Sequence, residues 1–179
     1  MTWINNGRGS ILVYAFKPYG IYNKNVSEQV LSRIPGSKSV IKKVFEVRFD
    51  AGMFTKTLRE INPAVVLGLG QHPRARKLRI ERKARNIKKN QDGLETTIVP
   101  SGPAVRFANL PLPVTGQTTV TYDAGSYVCN YSMYLTGQFC EKSGGRFGFI
   151  HIPKEYDLSV LKHYLSQVID KVSVVQKTG

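Results

Sequence analysis

AVVLGL, at residues 64–69, is a fully apolar hexapeptide that directly follows the helix-breaking pair Asn62-Pro63. A short apolar run bounded in this way predicts a buried strand. A second run, ILVYAF at residues 11–16, precedes Pro18 and predicts another buried strand. Two buried strands are therefore predicted, at residues 11–16 and 64–69, and a sheet that contains both is expected.

The segments between and around these strands alternate in their periodicity. An apolar stripe predicts a helix over residues 25–33, and Pro35-Gly36 ends it. Residues 40–49 predict a strand, and residues 54–61 carry apolar side chains at a helical spacing. The resulting order of strand, helix, strand, helix and strand predicts an α/β sheet with helices on both faces.

The second half of the chain is less regular. Residues 91–117 are rich in Gly, Pro and Thr and predict a loop. Ser126 is predicted to cap a helix that runs to about residue 137, and Asp157 to cap the last helix, whose apolar stripe is expected to join the core. Strands are predicted at residues 96–99, 118–122 and 146–152. No repeat or boundary divides the chain, so we expect residues 1–179 to form a single domain.

Composition excludes several classes of protein. The chain has 179 residues, 41% of them apolar, which is enough for a sizeable core. No apolar run approaches the roughly 20 residues of a membrane helix, and residues 1–10 lack the apolar stretch of a secretory signal. Two cysteines form neither a disulfide framework nor a Cys-rich zinc site. We therefore expect a soluble, cytoplasmic protein that needs no metal or organic cofactor and does not bind membranes.

The net charge of +14 is concentrated in one segment. Residues 72–90 contain nine Lys and Arg residues, opposed only by Glu81. Such a cluster is typical of a solvated basic loop, and it would also attract nucleic acid or another polyanion. Because no nucleic-acid-binding motif accompanies the charge, the composition favours the solvated loop.

Three titratable residues are predicted at the carboxyl ends of strands, where α/β proteins gather their functional groups. Glu81 follows the strand at 64–69 after a loop, Cys129 lies in the first turn of a predicted helix, and His151 lies near the end of a strand. A helix N-terminus and an imidazole both stabilise a thiolate, and first-turn N–H groups can hold an oxyanion. Cysteine, histidine and a carboxylate are the parts of an activated nucleophile.

On residue type alone, each of these residues also fits a structural role. A cysteine beside Val128 is typical of a small core residue, and a histidine in an apolar strand is typical of a hydrogen-bonded core residue. A glutamate among arginines is typical of a surface ion pair. A Cys129–Cys140 disulfide is excluded if both lie on one helix, because their Cα atoms would then be about 16 Å apart.

Several motifs in order along the chain resemble the signature regions of the pyroglutamyl peptidase type I family, also called pyrrolidone-carboxylate peptidases. The nucleophile motif Ala-Gly-(Thr/Ser)-aromatic-Val-Cys-Asn is matched by AGSYVCN at residues 124–130, and the histidine motif by GFIHIP at 148–153. The glutamate motif Glu-Arg-x-Ala-x-Asn is matched by ERKARN at 81–86. The first loop of the family is echoed by AFKPYG at 15–20, and a strand-ending Gly-Gln by residues 70–71.

The resemblance implies an α/β three-layer sandwich, with helices on both faces of a mostly parallel, twisted mixed sheet. It also implies a cysteine exopeptidase that removes an N-terminal pyroglutamyl residue from peptides. By analogy, Cys129 attacks the carbonyl, His151 transfers the proton, and Glu81 orients the imidazole. The backbone N–H of Cys129 is the expected oxyanion donor, and a homo-oligomer, either a tetramer or a dimer, is expected.

The resemblance further implies a pocket for the uncharged lactam ring of pyroglutamyl-blocked peptides. Phe16, Tyr19, Tyr127 and Val128 match the positions that form its walls, and Gln71 matches a polar position beside it. Apolar walls with a few hydrogen-bonding groups suit a small neutral ring.

The chain departs from the family pattern at two places. PRAR at residues 73–76 replaces a Gly-Gly-Arg stretch, and residues 113–119 are predicted to form a loop in place of a helix. These departures leave two alternatives: a catalytically impaired protein that binds nucleic acid or another polyanion through residues 72–90, and a cysteine amidohydrolase for a different small lactam or amide.

Overall fold

A six-stranded mixed sheet forms the centre of the protein, whose computed structural model describes residues 9–175. In chain order the strands are β1 (Ile11–Phe16), β2 (Val40–Phe45), β3 (Val65–His72), β4 (Leu78–Glu81), β5 (Lys83–Arg85), β6 (Ile87–Lys89), β7 (Glu95–Thr97), β8 (Val105–Phe107), β9 (Thr118–Thr121) and β10 (Arg146–Pro153). The helices are α1 (Val26–Arg33), α2 (Ala51–Ile61), α3 (Val128–Ser143) and α4 (Leu158–Val175).

The order of strands in the central sheet is β2-β1-β3-β10-β4-β9. The first four of these strands run parallel to one another. β4 pairs antiparallel with β10, and β9 pairs parallel with β4, so the last two strands run in the opposite direction. The sheet is therefore mostly parallel but mixed, as expected. β5 pairs with β8 and β6 with β7 in two small antiparallel ladders.

Helices cover both faces of the sheet. Val13 of β1 lies in a buried cluster with residues of α1 and α4, whereas the adjacent Tyr14 lies in a second cluster with residues of α2 and α3. Alternate side chains of β1 thus enter different cores, which explains why its sequence is apolar throughout. The three-layer α/β architecture is confirmed, and no helix within residues 9–175 is both long and apolar enough to cross a membrane.

Local capping explains where the helices differ from their predicted ranges. α2 begins at Ala51, three residues earlier than predicted, because Asp50 caps it by accepting a hydrogen bond from the Met53 N–H at 3.0 Å. The prediction that Ser126 caps α3 is wrong, since Tyr127 occupies the cap position and makes no side-chain cap bond. Asp157 caps α4 as predicted, accepting from two first-turn N–H groups.

The region between β3 and α3 departs most from the predictions. β4, β5 and β6 lie within residues 72–90, which were expected to form a loop. The short strand predicted at residues 96–99 corresponds to β7, and β8 was not predicted. No helix lies in residues 113–119, as expected, and the nearby Leu110 and Leu112 join the core cluster that contains residues of α4.

Candidate active site

Glu81 and His151 form a buried pair across the antiparallel strands β4 and β10. The His151 Nδ1–H donates a hydrogen bond to Glu81 Oε1 at 2.8 Å, with the tautomer set by the carboxylate acceptor. Glu81 is 0% exposed and His151 is 4% exposed. Because Nδ1 is engaged by the carboxylate, Nε2 is the ring nitrogen that remains for a reacting group.

Cys129 lies in the first turn of α3 and faces the same imidazole. Its side chain makes a hydrogen-bonding contact with His151, and the residue is partly exposed. Its sulfur packs against Gly70 on β3, where a Cβ atom would lie only 2.7 Å from Sγ. The structure therefore brings the three predicted residues together.

The strands that position these residues differ in direction from those predicted. Glu81 was expected after a loop that follows the strand at 64–69, but it lies within β4, which runs antiparallel to β10. Cys129 was expected in the first turn of the helix after the strand at 118–122 and lies there, but this strand, β9, runs in the opposite direction to β10. The prediction from parallel strand ends therefore holds for His151 alone.

The electrostatic environment of His151 favours its protonated form. Burial of the ring lowers the pKa, but the negative charge and hydrogen bonding of Cys129, followed by those of Glu81, outweigh burial and raise it from 6.5 to about 9. At neutral pH the ring is therefore an imidazolium between a sulfur and a carboxylate. This arrangement resembles the thiolate–imidazolium pair of an activated cysteine.

The N-terminus of α3 supplies backbone donors beside the sulfur. N–H groups in a first helical turn have no partner within the helix, and the helix dipole adds partial positive charge there. The Cys129 N–H is one of these groups, so it can donate to an oxyanion formed at an attacked carbonyl. A group of three or more His, Cys, Asp and Glu side chains suited to a metal ion is not found within residues 9–175.

The family model described as pyroglutamyl peptidase matches residues 9–175 of this sequence. The chain belongs to the pyroglutamyl peptidase family. The match covers every strand and helix described above, including the segments that carry Glu81, Cys129 and His151.

Curated relatives and solved structures of this family are similar over most of their length. The pyrrolidone-carboxylate peptidase of Thermococcus litoralis is 30% identical over 87% of this chain and 81% of its own. A Saccharolobus islandicus relative of the same name is 30% identical over 80% and 79%. The structure of the Thermococcus litoralis enzyme has a TM-score of 0.82 at 24% identity, covering 96% of both chains. That of Bacillus amyloliquefaciens pyroglutamyl peptidase I has a TM-score of 0.81 at 20% identity, covering 94% of this chain and 98% of its own. At these identities the structures support the fold.

A cleft of about 1550 Å³ opens in front of Cys129 and His151. All five residues predicted to bind substrate line it: Phe16, Tyr19, Gln71, Tyr127 and Val128. Phe16 and Val128 are buried, whereas Tyr127 is 63% exposed and lies at the rim. Their position agrees with the expectation from the pyroglutamyl peptidase motif, and their role as pocket residues stays a prediction.

Gln71 is a buried polar residue of this cleft. Its Oε1 accepts a hydrogen bond from the Val26 N–H at the start of α1 at 3.0 Å. Its Nε2 is buried and has no hydrogen-bond partner among residues 9–175. Burial raises the pKa of the Tyr19 phenol, and a hydrogen-bonding contact with the Gln71 side chain opposes this shift. The amide is therefore oriented by α1, and its Nε2 is the group that remains for the Tyr19 hydroxyl or for a ligand.

Two residues that hydrogen-bond to Glu81 were not identified by the sequence analysis. Arg79 Nε donates to Glu81 Oε1 at 3.0 Å, and Thr121 Oγ1 donates to Glu81 Oε2. Together with His151, they give the buried carboxylate three hydrogen-bond partners. Arg79 and Glu81 are two residues apart on β4, so the alternation of apolar and charged residues at 78–81 is a signal that could have placed both on one face of a strand.

Asn130 was not identified as a structural residue, although it follows the nucleophile directly. It is fully buried, and its Oδ1 accepts from the Arg85 N–H at 2.8 Å. Its Nδ2 donates to the carbonyls of Arg85 and Ile87 at 2.9 and 2.8 Å. These bonds fasten the N-terminus of α3 to the strands β5 and β6.

Several basic side chains of residues 72–90 are used within the fold. Arg82 donates to the Leu110 carbonyl at 3.0 Å, and Arg85 pairs with Asp123 at 3.2 Å. Lys88 lies over the rings of Phe49 and Tyr131. The segment is therefore an integral part of the sheet region, and polyanion binding stays a prediction.

Proposed function

We propose that this chain is a cysteine exopeptidase that removes an N-terminal pyroglutamyl residue from peptides through Cys129, His151 and Glu81. The observation that carries the proposal is the His151 Nδ1–Glu81 Oε1 hydrogen bond of 2.8 Å, with the Cys129 side chain against the same ring. Membership of the pyroglutamyl peptidase family and relatives named pyrrolidone-carboxylate peptidases support the choice of substrate.

In the acylation step, the Cys129 thiolate forms a bond to the carbonyl carbon of the pyroglutamyl residue. The carbonyl oxygen becomes an oxyanion that accepts a hydrogen bond from the Cys129 N–H. As the C–N bond breaks, the His151 imidazolium gives its proton to the leaving amine. The products are a free peptide with a new N-terminus and a thioester at Cys129.

In the deacylation step, neutral His151 takes a proton from a water molecule that attacks the thioester. The C–S bond breaks, pyroglutamate leaves, and the thiolate–imidazolium pair is restored. Glu81 keeps its charge throughout and stabilises the imidazolium of each half-reaction.

The cleft provides a pocket suited to the lactam. We expect Phe16 and Val128 to supply apolar walls and Gln71 Nε2 to donate to the lactam carbonyl, since both apolar residues are buried and line the cleft with Gln71. A blocked N-terminus carries no ammonium, so this recognition needs no acidic anchor.

The test is cleavage of a pyroglutamyl-coumarin substrate under reducing conditions. We expect the wild type to release coumarin and the Cys129→Ser variant to lose this activity. Cys140→Ser is the matched control, because burial raises the pKa of the Cys140 thiol to about 12 and Cys140 lies outside the cleft. We also expect iodoacetamide to alkylate Cys129 much faster than Cys140.

Two results would contradict the proposal. One is a folded wild type without turnover from mildly acidic to alkaline pH. The other is faster cleavage of a different small lactam or amide in a substrate panel, which would favour an amidohydrolase.

A further inference from the structure

Charged side chains surround the cleft beyond the lactam pocket. Four are basic and two are acidic: Arg48, Arg74, Arg79, Lys89, Asp92 and Asp123. Three of them are matched by opposite charges, since Arg48 pairs with Asp50, Arg79 with Glu81, and Asp123 with Arg85. Lys89 and Asp92 lie three residues apart at the turn after β6 and form no ion pair with each other.

Arg74 and Lys89 are the two cations of this cleft that form no ion pair within residues 9–175. Of the two, Arg74 is exposed and lies two residues from His72. The Arg74 backbone N–H donates to His72 Nδ1 at 3.3 Å, and the ring of His72 packs edge-on against that of His151 at 5.2 Å. The Arg74 backbone is therefore linked to the His151 ring through His72, and its side chain lines the same cleft.

The direction of the reaction places the peptide on the same side of the cleft. His151 gives its proton to the leaving amine, so the residues after the pyroglutamyl group start at this ring. We expect the lactam to bind toward Phe16 and Gln71, so that the outgoing chain runs past His72 and Arg74, which line the same cleft. An exposed guanidinium at this point is suited to a carboxylate.

We infer that Arg74 forms a subsite for a carboxylate on the first or second residue after the pyroglutamyl group, an inference that rests on the proposed peptidase function. The enzyme then favours acidic pyroglutamyl peptides over basic ones. Arg74 belongs to the stretch 73–76, where the chain departs from the family motif.

The net charge of +14 offers a competing cause for the same preference. Long-range attraction would favour any acidic peptide, would decrease with salt, and would depend little on one residue. A charge reversal at Arg74 therefore has to be compared with the same reversal elsewhere. Lys162 is exposed on α4 and does not line the cleft.

The experiment measures kcat/KM for C-terminally amidated pyroglutamyl tripeptides with Glu, Gln or Lys as the second residue. A Gln peptide with a free C-terminal carboxylate distinguishes a terminal carboxylate from an acidic side chain. We expect the wild type to cleave the Glu peptide about five- to ten-fold better than the Lys peptide, typical of one favourable exposed charge pair against one unfavourable pair. Arg74→Gln should remove this ratio, Arg74→Glu should invert it, and Lys162→Glu should leave it unchanged.

The outcomes separate this inference from the proposed function. Cleavage of all peptides without discrimination, or equal effects of Arg74→Glu and Lys162→Glu, overturns the subsite alone. Loss of cleavage of every peptide by the folded wild type overturns the proposed function and the subsite together. Thermal unfolding of each variant checks that the fold is retained.

Discussion

Arg79 Nε and His151 Nδ1 donate to the same oxygen of one buried carboxylate, Glu81 Oε1, at 3.0 and 2.8 Å. A carboxylate that is 0% exposed has no water to solvate it and depends on such donors. The guanidinium also donates to the Asp123 carbonyl at 3.0 Å, which fixes its own position. Arg79 therefore acts on the imidazole through Glu81 and is a positioning residue.

Arg79→Met should lower kcat about ten- to a hundred-fold, because it leaves the buried carboxylate with one cationic partner fewer. In Arg79→Met the acid limb of the kcat/KM profile should also move to higher pH. Arg79→Lys should restore part of the lost kcat, because it supplies a positive charge without the planar guanidinium. Steady-state kinetics from about pH 5 to 10 measures both effects. Arg76→Met, an exposed position in the same segment, is the control. Equal losses in the two Met variants would contradict the positioning role.

The parallel part of the fold was predictable because its strands are buried on both sides. Val13 and Tyr14 enter different cores, so β1 is apolar at every position. The three candidate catalytic residues were also identified from the sequence, because their motifs are long and occur in the expected order. Each of the three residues lies within a short stretch of characteristic sequence, so a motif is enough to identify it.

The antiparallel strands were not predictable from local patterns. In β4 the buried Leu78 and Ile80 alternate with Arg79 and Glu81, whose charges predicted a solvated loop. The strand forms by pairing with β9 and β10. These partners lie about 40 and 70 residues away in sequence, as the Thr121 and His151 contacts of Glu81 show, so a local pattern does not reveal them. The N-cap of α3 was predicted one residue too early; Gly125 has φ 82° and Tyr127 occupies the cap position.

The raised pKa of His151 predicts how stability and activity depend on pH. Because the value rises from 6.5 to about 9 on folding, protonation of the ring favours the folded state. This contribution is complete below the ordinary pKa of 6.5 and is lost as the pH rises through about 9. We therefore expect both kcat/KM and the unfolding temperature of the wild type to fall across this window.

The matched variants for this prediction are His151→Gln and His163→Gln, since His163 is an exposed histidine on α4. Thermal unfolding from about pH 6 to 10 should show a smaller decrease for His151→Gln than for the wild type. His163→Gln should follow the wild type. Parallel curves for all three proteins would show that His151 carries no folding-linked proton.

Gly70 gives a steric prediction about the nucleophile. A Cβ atom at this position would lie 2.7 Å from Cys129 Sγ and 2.9 Å from Cζ of Phe149, so Gly70→Ala must displace the sulfur or the ring. A displacement of about 1 Å from attack geometry lowers rates on the order of 100-fold. Kinetics and the alkylation rate of Cys129 measure the effect. Gly116→Ala, where no atom lies within 4 Å, should retain full activity. Wild-type rates in Gly70→Ala would contradict the close packing.

Gln71 allows lactam recognition to be tested by one substitution. Gln71→Glu keeps an oxygen that accepts from the Val26 N–H and removes the Nε2 donor, which lies beside the Tyr19 hydroxyl. We expect KM for a pyroglutamyl substrate to rise about ten- to a hundred-fold, because a carboxylate would then face the lactam carbonyl without a hydrogen to donate. The unfolding temperature should fall, because the new carboxylate is buried and has one hydrogen-bond donor, so KM is measured below this lower transition. Gln138→Glu on α3, outside the cleft, controls for the added charge. If KM is unchanged while Gln138→Glu is also silent, the lactam takes its hydrogen bond from another group.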